Sequence, residues 1–436
     1  MMRTKVCMFV WNHFTNDARV MRECTALSEE NYDVDLICIH DPKDPNLKTF
    51  EEYNQHFRVH RVKRYPESLL FFQMISKRLK RHKLLLLLAV LLWLLAAYLM
   101  PIPVIICTFF ALAVLKTKLK TAIVRGSIIL RMILKGAKRT YDIYHSNDLN
   151  TLPQGYICSK LRLKKKKLIY DSHEVQTSRT GYNSSFYGKL EAFLVHKIDG
   201  MIVENHTRAK YNEDLYGFYP HVVHNYPFKQ TEEFSEKIDL HSLLNLPENE
   251  KILLYQGGIQ TGRGLENLVK AVPKFNEGTL VLIGDGRIKP KLEKMVDEIG
   301  IRDKVKFLPK VPLAELPKYT RNAYLGFQVL NNVCFNHYSA SSNKLFEYMM
   351  AGVPVVACDF PEIKRVTEGE NTGIIVDSHD PDSIAEGVNK LLSAPDLRDA
   401  LSRNSLRARG LYNWEQEKAA FLRVYQSLDV NGLGFK

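Results

Sequence analysis

The feature that most constrains this chain is an apolar stretch from Leu84 to Leu115, which contains no charged residue in 32 positions. A core helix of a soluble domain normally keeps a polar face over such a length, so the stretch predicts a segment that enters a membrane. No Asp or Glu occurs between Ser68 and Tyr141, whereas that window holds 13 Lys and Arg residues. The window therefore accounts for the whole net charge of +13, and such basic flanks suit an anionic cytoplasmic leaflet.

Two prolines divide the apolar stretch. Pro101 and Pro103 leave halves of 17 residues (Leu84–Met100) and 12 residues (Val104–Leu115). A helix that spans the hydrocarbon core needs roughly 20 apolar residues, so neither half is long enough. Because Lys and Arg flank both ends, both ends belong on one side of the bilayer. The pattern predicts a membrane hairpin within an insertion over residues 66–139, and a buried core hairpin is the alternative.

Outside the insertion, short apolar runs alternate with stretches of helical spacing. Lys5–Val10 opens the chain as a buried strand, and Asp33–Ile39 is a second strand after an amphipathic segment. The alternation resumes after residue 139 and becomes more regular beyond Asn225-Tyr226-Pro227. Strands that alternate with helices predict parallel sheets covered on both faces, which makes this an α/β chain.

The change of pattern near residue 225 predicts two Rossmann-like domains. Residues 1–225, interrupted by the insertion, are assigned to the first domain and residues 226–410 to the second. Residues 411–436 are expected to form a helix that returns to the first domain. Ligands of open α/β sheets bind at the carboxyl ends of the strands, so the expected site is a cleft between the two domains.

The sequence argues against several kinds of site. The seven Cys residues show neither a CxxC pair nor zinc-ligand spacing, which favours free thiols in a reducing compartment. No GxGxxG fingerprint follows the first strand. The one Asp-x-Asp, Asp33-Val34-Asp35, begins a strand, and a solvated strand entrance is the favoured interpretation. We therefore expect no metal, no resident cofactor and no nucleic-acid partner.

The second domain carries polar motifs where its predicted strands end. The loop 256–264 is rich in glycine and contains Arg263, a combination that suits a phosphate at a helix N terminus. Lys344 and Glu347 lie one helical turn apart, where a cation beside phosphates and a carboxylate beside ribose hydroxyls would bind a nucleotide; a surface ion pair is the alternative. The residues expected to bind the nucleotide are Gly258, Arg263, Gly284, Asp285, Gly286, Asn343, Lys344, Leu345 and Glu347.

Several segments resemble a known family. YQGGIQTGRGLENLVKA, VLIGDG and KLFEYMMAGVPVVA resemble the retaining glycosyltransferases of family 4, which have the GT-B fold. NDARVMRECTALSEENYDVDLICI and YDIYHSNDLNTLPQG are similar to the N-terminal domain of that family. The resemblance covers nearly the whole chain outside residues 66–139. It implies a nucleotide-sugar donor in the second domain, an acceptor in the first, and no metal.

The resemblance also implies roles for individual residues. Arg263 matches a Lys in the family's glycine loop and, with Lys344, would stabilise the departing diphosphate. Glu347 matches the second Glu of the family's E-x7-E element and would bind the ribose. Residues at strand ends of the first domain would face the sugar or the acceptor: His145 and His173 as catalytic residues, and Asn16, Asp17, Asp148 and Glu174 in the cleft loops.

Four positions depart from the family's pattern. Ser339 stands where the first Glu of E-x7-E is expected, and Gly257 replaces an Arg six residues before the loop cation. Asn147 replaces the second His of a His-x-His motif, and residues 12–17 replace a glycine-rich first loop. These departures are compatible with a subgroup of the family and leave the catalytic roles as expectations.

The sequence therefore predicts a retaining, metal-independent glycosyltransferase that extends a lipid-linked glycan at the cytoplasmic face of the cell membrane. The expected partners are a nucleotide-sugar donor, an acceptor on a polyprenyl diphosphate or another lipid, and an anionic membrane. Two alternatives stay open. One is a catalytically silent, membrane-anchored partner of a polysaccharide-assembly complex, and the other is a sugar-nucleotide epimerase of the same fold.

Overall fold

The computed structural model describes residues 3–176, 185–230 and 237–428, which form two α/β domains. Each domain is built on one sheet whose two faces are covered by helices, and a separate apolar core lies on each face. Because parallel strands are covered on both sides, they are apolar over nearly their whole length; the last four residues of the first strand are all buried.

The first domain contains an eight-stranded sheet. Its strands are β1 (Thr4–Phe9), β2 (Tyr32–Ile39), β3 (Phe50–Asn54), β4 (Phe57–Val62), β5 (Ile143–Asn147), β6 (Lys167–Ser172), β7 (Gly200–Val203) and β8 (His221–Val222). Their spatial order is β3–β4–β2–β1–β5–β6–β7–β8, and every pair is parallel except β3 with β4. The loops after β1, β5 and β6 therefore emerge side by side at one edge.

The second domain contains a six-stranded sheet with parallel pairs throughout. Its strands are β9 (Ile252–Gln256), β10 (Thr279–Ile283), β11 (Val305–Leu308), β12 (Leu325–Gln328), β13 (Val355–Cys358) and β14 (Gly373–Val376). The order β11–β10–β9–β12–β13–β14 reverses direction between β9 and β12. Such a reversal opens a crevice at the carboxyl ends of the strands, which is where ligands of open α/β sheets bind.

Helices connect the strands. Those in the first half of the chain are α1 (Ala18–Glu29), α2 (Glu67–Arg81), α3 (Lys83–Leu99), α4 (Pro101–Lys116), α5 (Leu119–Ala137), α6 (Leu152–Lys160), α7 (Ser185–Val195) and α8 (His206–Tyr216). Those in the second half are α9 (Leu240–Leu244), α10 (Leu265–Ala271), α11 (Lys289–Ile299), α12 (Leu316–Thr320), α13 (Phe335–Tyr338), α14 (Asn343–Met350), α15 (Pro361–Gly369), α16 (Pro381–Ser393), α17 (Pro395–Ala408) and α18 (Trp414–Gln426).

The insertion forms a helical hairpin. Helix α3 ends at Leu99, and α4 begins at Pro101, a position where proline costs no helical hydrogen bond. The two helices pack on each other, and the Trp93 indole N–H donates to the Thr108 hydroxyl across them at 3.0 Å. No residue of α3 is buried.

Among the described residues, no single helix is both long enough and apolar enough to cross a bilayer. Helices α2 and α3 meet that test only as a pair, and they are bent by 117° relative to each other.

Asp35 anchors the end of the insertion, which corrects the expectation of a solvated strand entrance. Its carboxylate is fully buried and accepts hydrogen bonds from Arg58 at 2.7 Å, Arg139 at 2.6 Å and Tyr141 at 2.7 Å. These contacts keep its pKa well below the usual range, although burial alone would raise it. Arg139 follows α5, so this ion pair ties the insertion back to β2.

The C-terminal helix α18 lies in the first domain. It packs against α1, and its buried residues Phe421 and Tyr425 complete the core on that face of the sheet. The chain therefore crosses between the domains twice, once near residue 225 and again before Trp414.

Candidate functional site

A cleft of about 1330 Å³ separates the carboxyl edges of the two sheets. Most of the predicted cleft residues line it, together with some that were predicted to bind the nucleotide: Asn16, Asp17, Asp148, His173, Glu174, Asn343 and Glu347. Asp17 also has a structural role, since it caps α1 by accepting a hydrogen bond from the Val20 N–H. The second domain contributes α12 and the turn before it to the opposite wall.

The glycine loop between β9 and α10 is held by backbone contacts. A side chain at Gly284 would collide with the Gly257 carbonyl, and its φ of +151° also favours glycine. A side chain at Gly264 would collide with the Val329 carbonyl. Asp285 is exposed, accepts from the Lys310 N–H at 3.1 Å and fixes the turn beside the loop. The glycines thus shape the backbone, and Asp285 holds its turn.

Lys344 lies beneath this loop in the first turn of α14. Its side chain is buried, and its Nζ lies 3.2 Å from the Tyr255 hydroxyl and 4.2 Å from the centre of the Tyr255 ring. Burial and the nearby Arg263 guanidinium lower the pKa of Lys344 to about 7. Arg263, just before α10, and Lys344, in the first turn of α14, thus place two basic side chains beside a loop of small residues, an arrangement suited to a diphosphate.

Glu347 belongs to a chain of polar contacts one turn further along α14. Its carboxylate accepts from Gln256 Nε2 at 2.7 Å, and Gln256 Oε1 accepts from the Thr320 hydroxyl at 2.7 Å. Burial raises the pKa of Glu347, while the bond from Gln256 opposes that shift. Gln256 and Thr320 were not predicted as site residues; the one available signal was that Gln256 ends the apolar run of β9.

The side chain of Leu345 points away from the cleft. Its side chain is buried in an apolar core of the second domain, because the next residue along a helix points about a quarter turn away from Lys344. Gly258 stays within the loop, where its carbonyl accepts from the Tyr255 hydroxyl at 2.9 Å.

On the opposite wall, His173 follows β6 and lines the cleft. Its Nε2 lies 3.1 Å from Asn147 Oδ1 and 3.5 Å from Asp171 Oδ2. Burial and the Arg19 guanidinium oppose a positive charge on His173, but the carboxylates of Asp171 and Asp148 outweigh them and raise its pKa to about 9. The cleft therefore contains an imidazolium at neutral pH.

His145 lies in the interior, which corrects the expectation that it faces the sugar or the acceptor. It is 0% exposed, its ring stacks on Tyr425, and its Nδ1 lies 2.6 Å from the Tyr425 hydroxyl. Burial lowers the pKa of His145, although Asp171 opposes the shift. The residue sits two positions before the end of β5, and α18 covers it.

Glu23, His145 and Asp171 bring three potential metal-ligand atoms within 4.8 Å of one another beneath the cleft floor. One nitrogen or oxygen atom on each of the three has no hydrogen-bond partner. Arg19, however, donates to Glu23 at 3.0 Å and to Asp171 at 2.6 Å. Burial and Asp171 raise the pKa of Glu23 to about 8. The Arg19 cation and the raised pKa of Glu23 thus reduce the net negative charge of this cluster.

The domains are joined around Arg208. Its guanidinium donates to the His173 carbonyl at 2.6 Å and to the Ser339 hydroxyl at 3.2 Å. Asn336 donates to the Val175 carbonyl at 3.0 Å and accepts from the Val175 N–H at 2.7 Å. Ser339 is fully buried, so the position that differs from the family's Glu contributes to the domain interface rather than to the cleft wall.

Two facing domains with parallel sheets, and an anion pocket in the second, are the architecture of the GT-B fold. The structure of sucrose-phosphate synthase from Thermosynechococcus elongatus shares it, with a TM-score of 0.68 and 18% identity over 98% of this chain and 99% of that chain. The structure of Anabaena HepE in complex with UDP-glucose gives a TM-score of 0.68 at 13% identity, over 98% of this chain and 100% of that one.

Sequence comparison points in the same direction for the second domain. Residues 236–407 match the family "Glycosyl transferases group 1". An uncharacterized glycosyltransferase of Methanocaldococcus jannaschii is 30% identical over 197 residues, which is 44% of this chain and 49% of that protein. The chain covers about half the length of the curated relatives it matches. The second domain is thus similar to group 1 glycosyl transferases, and the two-domain fold is shared with solved structures of the GT-B type.

Proposed function

We propose that this protein is a retaining, metal-independent glycosyltransferase. It transfers a sugar from a nucleotide-sugar donor to a lipid-linked glycan at the cytoplasmic face of a membrane. The observation that carries the proposal is the pocket formed by Arg263, Lys344 and the glycine loop at the switch point of the second sheet. The match to group 1 glycosyl transferases covers that same domain.

The donor site follows from the charges of this pocket. The diphosphate of a nucleotide sugar is an anion, and its negative charge grows as the bond to the sugar breaks. Arg263 and Lys344 would stabilise that charge. The Glu347 carboxylate would accept hydrogen bonds from the ribose hydroxyls, and the Gln256 amide would donate to them. Anabaena HepE has been solved with UDP-glucose, which supports a donor of this class.

The acceptor side follows from the first domain. His173 is a cation on the cleft wall, beside Asp148 and Glu174, where a sugar hydroxyl of the acceptor would approach the donor. In a retaining transfer of this kind the departing phosphate takes the proton of that hydroxyl. His173 would then hold the sugar or the phosphate in place.

The hairpin of α3 and α4 supports a lipid-linked acceptor. Its apolar side chains are exposed from Leu84 to Leu112, and basic residues of α2 and α5 flank it. Such a surface suits a hydrocarbon core bordered by anionic headgroups. A hairpin within the acceptor domain would hold the cleft at the bilayer, where a polyprenyl diphosphate presents its glycan.

The hairpin and the donor site are tested together by replacing residues 84–115 with a short Gly/Ser linker. We expect donor hydrolysis to continue, the protein to leave the membrane, and transfer to a lipid-linked acceptor to fall sharply. Wild-type transfer by this variant would show that the hairpin is only an anchor. Absence of both hydrolysis and transfer in the wild-type chain, across a panel of nucleotide sugars, would refute the enzyme assignment.

One observation favours a second candidate, a catalytically silent partner that anchors an assembly complex. Ser339 is buried against Arg208 and offers the cleft no carboxylate where the family has its first Glu. Donor hydrolysis by the purified protein separates the two candidates, because a silent partner would bind membrane without consuming donor.

A further inference from the structure

We propose that the outer face of helices α5, α6 and α7 is a second membrane-contact surface, which lays the first domain against an anionic bilayer beside the hairpin. The inference rests on the proposed function only in taking a membrane as the place where the chain works. It assigns a contact to folded parts of the first domain that lie outside the apolar stretch.

Helix α5 is apolar on two opposite faces. Ile128 and Met132 are buried against the sheet. Leu130 and Leu134 are offset from them by two residues, about half a turn around the helix, and are 56% and 61% exposed. A helix that only covers a sheet needs one apolar face, so the outer leucines require another explanation.

Helix α7 continues this apolar surface. Phe186 and Phe193 are two turns apart on one side of the helix and are 62% and 56% exposed. The Arg125 guanidinium of α5 donates to the Tyr187 hydroxyl of α7 at 3.4 Å. Helix α6 lies between, with its Tyr156 ring 6.3 Å from that of Phe193. The exposed leucines and phenylalanines therefore belong to one continuous layer of helices.

The charges on this layer are of one sign. Arg125, Lys189 and Lys197 are exposed on it, and the Lys197 ammonium lies 5.7 Å from the centre of the Phe193 ring.

The carboxylates of the same part of the chain are buried, line the cleft or are paired with lysines. Within residues 68–176 and 185–199, Asp171 and Glu191 are buried, Asp148 and Glu174 line the cleft, Asp142 pairs with Lys166, and Asp199 pairs with Lys160 and Lys167. The described part of this face thus combines exposed apolar side chains with an excess of Lys and Arg.

This combination selects an anionic bilayer over a protein partner. Exposed Leu and Phe side chains enter the boundary between headgroups and acyl chains, while Lys and Arg extend to the phosphates. A second copy of the chain would bring two positive faces together, which is unfavourable. With two contacts, the hairpin and this face, the first domain would have a fixed orientation on the membrane. The hairpin alone would leave the domain free to rotate.

The test uses the full-length protein with benzoylphenylalanine introduced at position 130, 193 or, as a control, 243. Leu243 is 52% exposed on α9 of the second domain, outside this helical layer. After irradiation on vesicles of phosphatidylglycerol and phosphatidylcholine, we expect lipid crosslinks from positions 130 and 193 and none from position 243. Crosslinking should decrease when phosphatidylcholine alone is used, because the basic residues then lose their anionic partner.

A substitution series measures the energetic contribution. The triple variant Leu130→Gln, Leu134→Gln, Phe193→Gln should bind the mixed vesicles at least roughly tenfold more weakly than wild type. The matched control Leu243→Gln, Ile299→Gln, Leu411→Gln removes comparably exposed side chains outside this layer and should bind as wild type does.

The possible failures are distinguishable. If positions 130 and 193 remain uncrosslinked while the protein stays on vesicles, the hairpin alone makes the contact; this inference is then wrong, and the proposed function stands. A wild-type chain that does not bind vesicles at all contradicts both. A dimer that the triple variant converts to monomer, without lipid crosslinks, would identify a second copy as the occupant and overturn the proposal.

Discussion

Each domain holds one largely buried basic side chain at or near the cleft, and the surroundings shift the pKa values of the two side chains in opposite directions. On the second domain's wall, burial and Arg263 lower the pKa of Lys344 to about 7. On the first domain's wall, Asp171 and Asp148 overcome burial and Arg19 and raise the pKa of His173 to about 9. The usual order of the two groups is thereby reversed, since the ordinary values are 10.5 for lysine and 6.5 for histidine.

The difference lies in the neighbours of each group. Lys344 has a cation beside it, so its charge is stabilised only when an anion joins the pair. His173 has carboxylates beside it, so its charge is present before any ligand arrives. We infer that the second domain's wall, here called the donor wall after its proposed ligand, gains its charge with the ligand. The first domain's wall, called the acceptor wall for the same reason, carries its charge before any ligand binds.

Removal of the donor-wall cations should have the largest effect. A charge-assisted hydrogen bond contributes about 1.5–3 kcal/mol, so Arg263→Ala and Lys344→Ala should each lower transfer at least roughly tenfold. Lys270→Ala, which removes an exposed lysine from α10, is the matched control and should leave the rate unchanged. Steady-state kinetics with a nucleotide sugar is the measurement, and wild-type rates in both variants would remove the basis of the donor-wall assignment.

Protonation of His173 on the acceptor wall should make the free energy of unfolding depend on pH. Because the folded-state pKa of His173 is about 9 and its ordinary value is 6.5, its contribution is complete below pH 6.5 and is lost as the pH rises through 9. The loss should be on the order of 3 kcal/mol. Denaturant unfolding at several pH values measures it. His173→Gln should flatten this part of the curve and His379→Gln, an exposed control, should not; an unchanged curve in His173→Gln would contradict the assigned pKa.

At the second domain's wall, protonation of Lys344 should control donor binding, so the affinity for the donor should fall as the pH rises. Lys344 must be protonated to bind a diphosphate, so affinity should be full below pH 7 and decrease up to about tenfold per unit above it. A nucleotide sugar is the right ligand for calorimetry, because its diphosphate does not titrate in this range. Lys344→Arg keeps its charge and should give a flat profile. Equal affinities for wild type at about pH 6 and about pH 9 would show that Lys344 is already charged in the free protein.

Metal removal should have the smallest effect of all. Arginine, lysine and histidine supply the positive charge on both walls, and Arg19 already occupies the Glu23–Asp171 cluster. Transfer should therefore be unchanged after treatment with a chelator. Loss of activity that manganese restores would contradict this expectation and direct attention to the cluster beneath the cleft.

The second domain was more predictable from sequence than the first. Its motifs are local: each apolar run ends in polar or glycine residues, and Lys344 and Glu347 share one short helix. Leu345 was predicted with its neighbours because the motif was taken as a block, whereas helical geometry turns its side chain into the apolar core. Thr320 has no such local signal, since it reaches Gln256 from a separate helix.

The first domain was less predictable because its decisive contacts join distant parts of the chain. His145 follows an apolar run in the same way as the cleft residues do, but Tyr425 covers it from 280 residues away. Asp35 looked exposed at a strand entrance, yet Tyr141 donates to it from 106 residues away. Local patterns predict that such residues lie on strands and leave open which of them a later helix covers.

The return of α18 to the first domain has a consequence for synthesis. The core around Val20, Ile143 and Ile202 is completed by Phe421 and Tyr425, which leave the ribosome only after the whole second domain has been made. Until then the hairpin can already contact the membrane, while the sheet of the first domain still lacks α18 on one of its faces. Helix α18 therefore closes the first domain, so an early stop before Trp414 should leave an open core for chaperones or proteases to recognise, even though every cleft residue is present.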